Sequence, residues 1–284
     1  MCTLIFMFIS VVATGLSLYI QYMQLDKIIY WSIPIYLIAY FFLAIALSII
    51  IFYLITLLIP TRKNKDKKPH FIYRFIIHFY AKFICEIFGL DITINGIDKI
   101  PKDQKYLLVC NHQSNLDPIS TIASFYKYKL GYLTFIMKDQ ILKIPMVNRI
   151  LKGAGFLALD RKNNRKGAQT IILASKRIEK GLNSIGLYPE GTRSAGPEMI
   201  EFRNGAFKVA QKAKCPIVIM IIDNGYRVKR RFPWRRTKIL LEVLDVLSYD
   251  EIKDLHTNEI GNIVHHKMTE ALEMRRKELK WLNE

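Results

Sequence analysis

Residues 1–60 contain only two charged side chains, Asp26 and Lys27, and the pair splits the stretch into two long apolar runs. Runs of this length and composition suit a bilayer. Thr3 to Leu25 is uncharged and rich in Leu, Ile, Val, Phe and Met. About 20 apolar residues at ~1.5 Å each cross a hydrocarbon core of ~30 Å, so this run is long enough to span. Gln21, Tyr22 and Gln24 then fall near the headgroups. A cleavable signal peptide would need a basic start and a small-residue cleavage site, and neither is seen. Ile28 to Pro60 is the second run. Tyr30, Trp31 and Pro34 suit an interfacial start and leave Ile35 to Ile59 to span. The short break predicts a transmembrane helical hairpin over residues 1–60. Arg62, Lys63, Lys65, Lys67 and Lys68 crowd its end. Positive residues stay on the cytoplasmic side, so both termini and the rest of the chain are expected there, at the plasma membrane if the source is bacterial.

Residues 61–89 read as a basic linker followed by an amphipathic helix. Phe71, Phe75, Phe79, Phe83 and Ile87 recur every four residues, with Ile72, Ile76 and Ile84 beside them. Arg74, His78 and Lys82 share another side. Such a helix lies in the membrane interface or packs under a domain, and both fit the pattern. His70 and His78 read as surface residues.

The formal charge of +18 lies almost wholly beyond residue 60, which favours anionic partners: nucleic acid, an acidic membrane surface or phosphorylated substrates. Nucleic acid would also require a reading element, and none is seen beyond positive charge, so it is not expected as a partner. Cys2, Cys85, Cys110 and Cys215 are scattered without metal-ligand spacing, so neither a zinc site nor a disulfide framework is expected. His256, His265 and His266 read as exposed residues of a C-terminal helical region. No metal or organic cofactor is expected.

From residue 90 to 284, strand-like runs alternate with helical ones. Strands are predicted at Asp91–Asn95, Tyr106–Cys110, Leu133–Met137, Gly155–Leu159, Ser184–Leu187, Pro216–Ile222 and Lys238–Leu247. Helices are predicted at Ile119–Tyr126, Met146–Lys152, Lys166–Lys180, Gly205–Lys212 and Asn258–Leu279. The alternation predicts one α/β domain, a mixed sheet flanked by helices.

Three sites follow predicted strands. Asn111 to Pro118 holds His112 and Asp117. A carboxylate bonded to one imidazole nitrogen leaves the other free as a base, although a lone pair of this kind is more often a structural hydrogen bond. Gly153, Gly155 and Arg161 frame a strand whose terminal Arg offers a phosphate-binding fork or pairs with Asp160. Tyr188 to Ser194 is a turn in which Glu190, Gly191, Thr192 and Arg193 form an anion cradle or an ordinary surface turn. Lys138 closes another strand at the same kind of position. Together these strand ends point to one pocket at one sheet edge.

At these residues the chain resembles the glycerolipid acyltransferases, specifically the 1-acyl-sn-glycerol-3-phosphate acyltransferases. Asn111, His112 and Asp117 match their Asn-His-x4-Asp block. Gly155, Leu159 and Arg161 match the Gly-x-x-Phe-Ile-x-Arg block, and Pro189 to Ser194 the Pro-Glu-Gly-Thr-Arg-Ser block. Ala158 replaces the usual aromatic of the second block, and Ile219-Met220 replaces the Pro-Val of a fourth.

The resemblance implies a glycerolipid acyltransferase-like sheet. It implies transfer of an acyl chain from acyl-CoA or acyl carrier protein to the 2-hydroxyl of lysophosphatidic acid, giving phosphatidic acid. His112 would be the general base and Asp117 would orient it. Arg161, with Lys138, would hold the substrate phosphate. Glu190, Gly191, Thr192 and Arg193 would hold the glycerol-phosphate end or shape the turn. Rival acceptors are another lysophospholipid or glycerol 3-phosphate. The rival of another class is a non-catalytic, membrane-tethered binder of anionic lipid. The basic run Arg227, Lys229, Arg230, Arg231, Arg235 and Arg236, interleaved with Phe232 and Trp234, suits membrane phospholipid. It equally suits acyl carrier protein or coenzyme A phosphates, or is a solvated loop.

Overall fold

A computed structural model describes residues 2–59, 68–160 and 163–282, the side chains of Asn164 and Lys280 excepted. The basic residues Arg62, Lys63, Lys65 and Lys67 and the predicted phosphate ligand Arg161 lie outside the described residues. The chain divides into two units, 1–60 and 61–284.

The first unit is two helices, α1 (Cys2–Leu25) and α2 (Ser32–Leu58), each long and apolar enough to cross a membrane. Cys2, Phe6, Ser10 and Thr14 are buried on α1, a stripe of every fourth residue that faces α2. Within that seam Ser10 Oγ donates to the Leu37 carbonyl (2.6 Å) and Ser17 bonds Tyr40 (2.6 Å). Outward positions such as Leu4, Phe8, Ile38 and Phe42 are exposed and apolar. A seam that includes hydrogen-bonded serines inside and large apolar residues outside suit a lipid surround and suggest membrane association.

The second unit opens with α3 (Phe71–Ile87), capped by His70, whose Nδ1 accepts from the Ile72 N–H (3.3 Å). A repeat of four advances ~40° per step on a 3.6-residue helix, so the phenylalanine row spirals. Phe71 is 68% exposed while Phe83 is buried. The buried face is Tyr73, Ile76, Ala81 and Phe83, and it also takes in His78. That corrects the surface reading of His78. Its ring stacks on Tyr126 (4.2 Å, 18°) and meets the edge of Tyr132 (5.8 Å). Burial, aided by Arg74 beside it, holds His78 down from 6.5 to about 4, so it serves as a neutral aromatic.

Seven strands follow: β1 (Leu90–Asn95), β2 (Leu107–Cys110), β3 (Leu133–Lys138), β4 (Leu157–Leu159), β5 (Ser184–Leu187), β6 (Ile217–Asp223) and β7 (Thr237–Leu247). Their order in the sheet is β1-β7-β6-β2-β5-β3-β4. Strands β2 to β6 are mutually parallel, β7 runs antiparallel to β6, and β1 pairs parallel with β7. The central strands are continuous apolar runs, buried on both faces, as the mixed α/β expectation requires.

The remaining helices are α4 (Asp117–Lys127), α5 (Pro145–Gly153), α6 (Asn164–Glu179), α7 (Lys208–Ala213), the short α8 (Val228–Arg231) and α9 (Tyr249–Ile252), and α10 (Thr257–Glu278). The helix predicted at 205–212 is a 3-10 turn, Asn204–Phe207, followed by α7. Residues of α6, α7 and α10, including Ala174, Ala210, Val264 and Met268, form one core with β2, β5 and β6. Helix α10 is capped by the exposed His256; His265 is half-buried, its ring against Phe202 (4.8 Å), rather than exposed. The parallel strands bring Asn111, Lys138, Asp160, Tyr188 and Asp223 to a single edge.

Candidate active site

Strand β2 ends at Cys110 and α4 begins at Asp117, with Pro118 in its first turn, where no N–H is needed. The corner between them folds the Asp117 carboxylate back on the preceding loop. Its Oδ2 sits 2.9 Å from His112 Nδ1 and accepts the backbone N–H groups of Gln113 (2.7 Å) and Ser114 (2.7 Å). Asp117 is fully buried, and the His112 side chain is 15% exposed. The spacing of five therefore closes around the strand-to-helix corner. With Nδ1–H donated to the carboxylate, Nε2 carries the lone pair.

The imidazole has a solid backing. Its ring stacks on Tyr188 (4.1 Å, 18°), and Tyr188 stacks on Phe135 (5.3 Å, 8°). Gly186 leaves room for Phe135, since a Cβ there would lie 2.4 Å from that ring.

The turn after β5 holds the main chain of the same histidine. Glu190 Oε1 accepts the His112 N–H (2.6 Å), and the His112 carbonyl accepts from Ser194 N (2.8 Å). Glu190 Oε2 accepts the Ile200 N–H (3.0 Å). Glu190 is 2% exposed, and burial raises its pKa above the usual range. Both oxygens serve the backbone, so of the two expectations for Glu190 the geometry favours shaping the turn over touching substrate. Gly191 sits at φ +70, and a Cβ there would lie 2.9 Å from the Arg203 side chain.

Between these elements lies a cavity of about 1410 Å³, larger than the roughly 300–1,000 Å³ that holds a single small ligand. Its lining has two characters. Ile76, Ile84, Ile122, Ile150, Leu151 and Phe156, from α3, α4, α5 and the residue before β4, are apolar. Lys138, Thr192, Arg193, Arg203, Lys208 and Lys212 are polar or basic, and His112 lines the same cavity. The structure thus brings His112, Lys138, Gly191, Thr192 and Arg193 to one cavity. Asp160, next to the undescribed Arg161, also lines it and pairs with Lys166 (3.7 Å).

Sequence reasoning missed Arg203, Lys208 and Lys212. Their only signal was position: an Arg and a short helix carrying Lys at i and i+4, downstream of the Pro-Glu-Gly-Thr-Arg-Ser block. The free cysteines are all buried, and burial pushes the Cys110 thiol well above its ordinary range. A thiolate nucleophile is not available there. Among the described residues no cluster of His, Cys, Asp and Glu could hold a metal ion.

A mixed sheet with a His–Asp pair on a largely apolar cavity that also presents basic side chains is the architecture of an α/β acyltransferase, and the acyltransferase family model matches residues 91–223. The probable 1-acyl-sn-glycerol-3-phosphate acyltransferase of Mycoplasma genitalium is 31% identical over 230 residues, covering 74% of this chain and 83% of the relative. The enzyme of that name from Borreliella burgdorferi is 26% identical over 65% of this chain and 73% of its own length. The crystal structure of the 1-acyl-sn-glycerophosphate acyltransferase PlsC from Thermotoga maritima shares the fold. Its TM-score is 0.59 at 21% identity, covering 72% of this chain and 80% of that one. The chain belongs to the 1-acyl-sn-glycerol-3-phosphate acyltransferase family.

Proposed function

We propose that the chain transfers an acyl group from a thioester to the 2-hydroxyl of lysophosphatidic acid, releasing a thiol and phosphatidic acid. The observation that carries this reading is the His112–Asp117 pair (2.9 Å) on a largely apolar cavity that also presents basic side chains. His112 Nε2 takes the hydroxyl proton while Asp117 steadies the imidazolium. The oxygen attacks the thioester carbonyl directly, the tetrahedral intermediate collapses, and the thiolate leaves with the proton. The apolar lining accommodates acyl chain. Lys138, Arg193 and Arg203 line the cavity and offer charge to phosphate, and Arg161 is the residue next in sequence to the lining Asp160. The reaction requires neither metal nor organic cofactor.

The partners in this reading are membrane phospholipid, lysophosphatidic acid and either acyl-CoA or acyl carrier protein. Residues 2–58 anchor the chain with both termini and the catalytic unit cytoplasmic, as the basic residues after the hairpin favour. The loop 225–236 holds six Arg or Lys and no acid. It follows β6 at the edge that carries His112, and Trp234 on it is 89% exposed. An exposed Trp among cations suits an anionic bilayer surface.

The test is the purified chain assayed against lysophosphatidic acid, other lysophospholipids and glycerol 3-phosphate, with each donor. Lysophosphatidic acid is expected among the best acceptors. A clear preference for a different acceptor would overturn the assignment.

A further inference from the structure

The segment matched by the family model ends at Asp223, and α10 lies beyond it. One side chain of α10 nevertheless reaches the end of β6, behind the loop that carries His112. Arg276 donates from Nε to Asp223 Oδ2 (2.7 Å) and from Nη2 to Asp223 Oδ1 (3.2 Å) and to the Pro197 carbonyl (2.6 Å). Asp223 is 2% exposed, and its Oδ1 also accepts from Gln113 Nε2 (2.9 Å). Gln113 Oε1 accepts the Gly225 N–H (3.1 Å), and the Gln113 main-chain N–H is one of the donors on Asp117 Oδ2.

A continuous path therefore runs from Arg276 through Asp223 and Gln113 to the carboxylate that orients His112. The bond to Pro197 gives Arg276 a second grip, on the segment after β5 that Glu190 ties down at Ile200. One guanidinium joins the end of β6 to the segment after β5.

A buried ion pair is weak as a stabiliser, because desolvation offsets its attraction, but it fixes geometry. The guanidinium fork meets a carboxylate at two points and still reaches a carbonyl; a lysine ammonium has no such fork. We infer that Arg276 is a positioning residue for acyl transfer, acting through Asp223 and Gln113 on Asp117. The inference rests on the reading of His112 as base. Its neighbour Arg275 supplies a built-in comparison. It lies on the same helix and pairs with the buried Glu242 (2.6 Å) and with Glu278, on β7 and α10 rather than on the site loops.

The experiment measures kcat, KM and thermal unfolding of the full chain in lipid nanodiscs for wild type, Arg276→Gln, Arg276→Lys, Arg275→Gln, Gln113→Leu and the Arg276→Gln/Gln113→Leu double variant. Arg276→Gln is expected to lower kcat by a factor on the order of 10 to 10², the cost of a slightly misplaced catalytic group, with KM nearly unchanged. Arg275→Gln should lose similar thermal stability and keep wild-type kcat. The double variant should be no slower than the slower single one, because both act on one path. Wild-type kcat in Arg276→Gln, equal losses in both arginine variants, or multiplied losses in the double variant would overturn the inference. Should Arg276→Gln not fold, Arg276→Lys decides: kcat lowered several-fold at unchanged melting supports it, and wild-type kcat overturns it. Wild type inactive with every acceptor and donor would instead defeat the underlying reading.

Discussion

The Asp117 carboxylate shows how little room the site leaves. Oδ2 takes the imidazole and two backbone N–H groups, while Oδ1 is buried without a hydrogen-bond partner. That oxygen lies against Gly225, where a Cβ would stand 2.7 Å from it. Glycine is needed there for space. Gly225→Ala should push the carboxylate off its partners and lower kcat by about 10²-fold, since small displacements of catalytic groups cost that much. Steady-state kinetics with a melting control checks this; unchanged kcat would show that Asp117 tolerates the shift. His112 and Asp117 were legible in the sequence because both lie in one eight-residue block. Gly225, Asp223 and Arg276 were not, because chain distances of about a hundred residues or more separate them from the block they serve.

Elements were the most legible level. All seven strands follow from short apolar runs, and their bounds fall within two residues of those expected. Helix α3 was legible as a helix, but its buried face was not. A repeat of four rotates around a helix, and His78 carries no mark in sequence that α4 will cover it. That contact makes a pH prediction. The folded state holds His78 at about 4 against an ordinary 6.5, so it binds fewer protons than the unfolded chain. Stability from this group is present above pH 6.5 and is lost as pH falls toward 4, by about 3 kcal/mol at most. His78→Phe keeps an aromatic on Tyr126 and should flatten melting temperature across that window. An undiminished acid slope would assign it to other groups.

At the scale of the whole molecule, the chain joins two membrane-length helices to a catalytic unit whose site edge carries the basic, Trp-bearing loop 225–236. Both lipid and product of the proposed reaction reside in a bilayer, so the loop is expected to act on access to substrate. Reversing Arg230 and Arg231 to Glu with Trp234→Ser should raise the apparent KM for lysophosphatidic acid in anionic vesicles about tenfold or more, given roughly 1 kcal/mol per basic residue near such a surface. Turnover at saturation should hold. A KM change only with acyl carrier protein as donor would assign the loop to that partner instead. The proposed chemistry stands on one group. Acyl transfer to lysophosphatidic acid by the purified full chain should fall by about 10² or more in His112→Ala with folding intact. Turnover equal to wild type would remove His112, and with it the proposed mechanism.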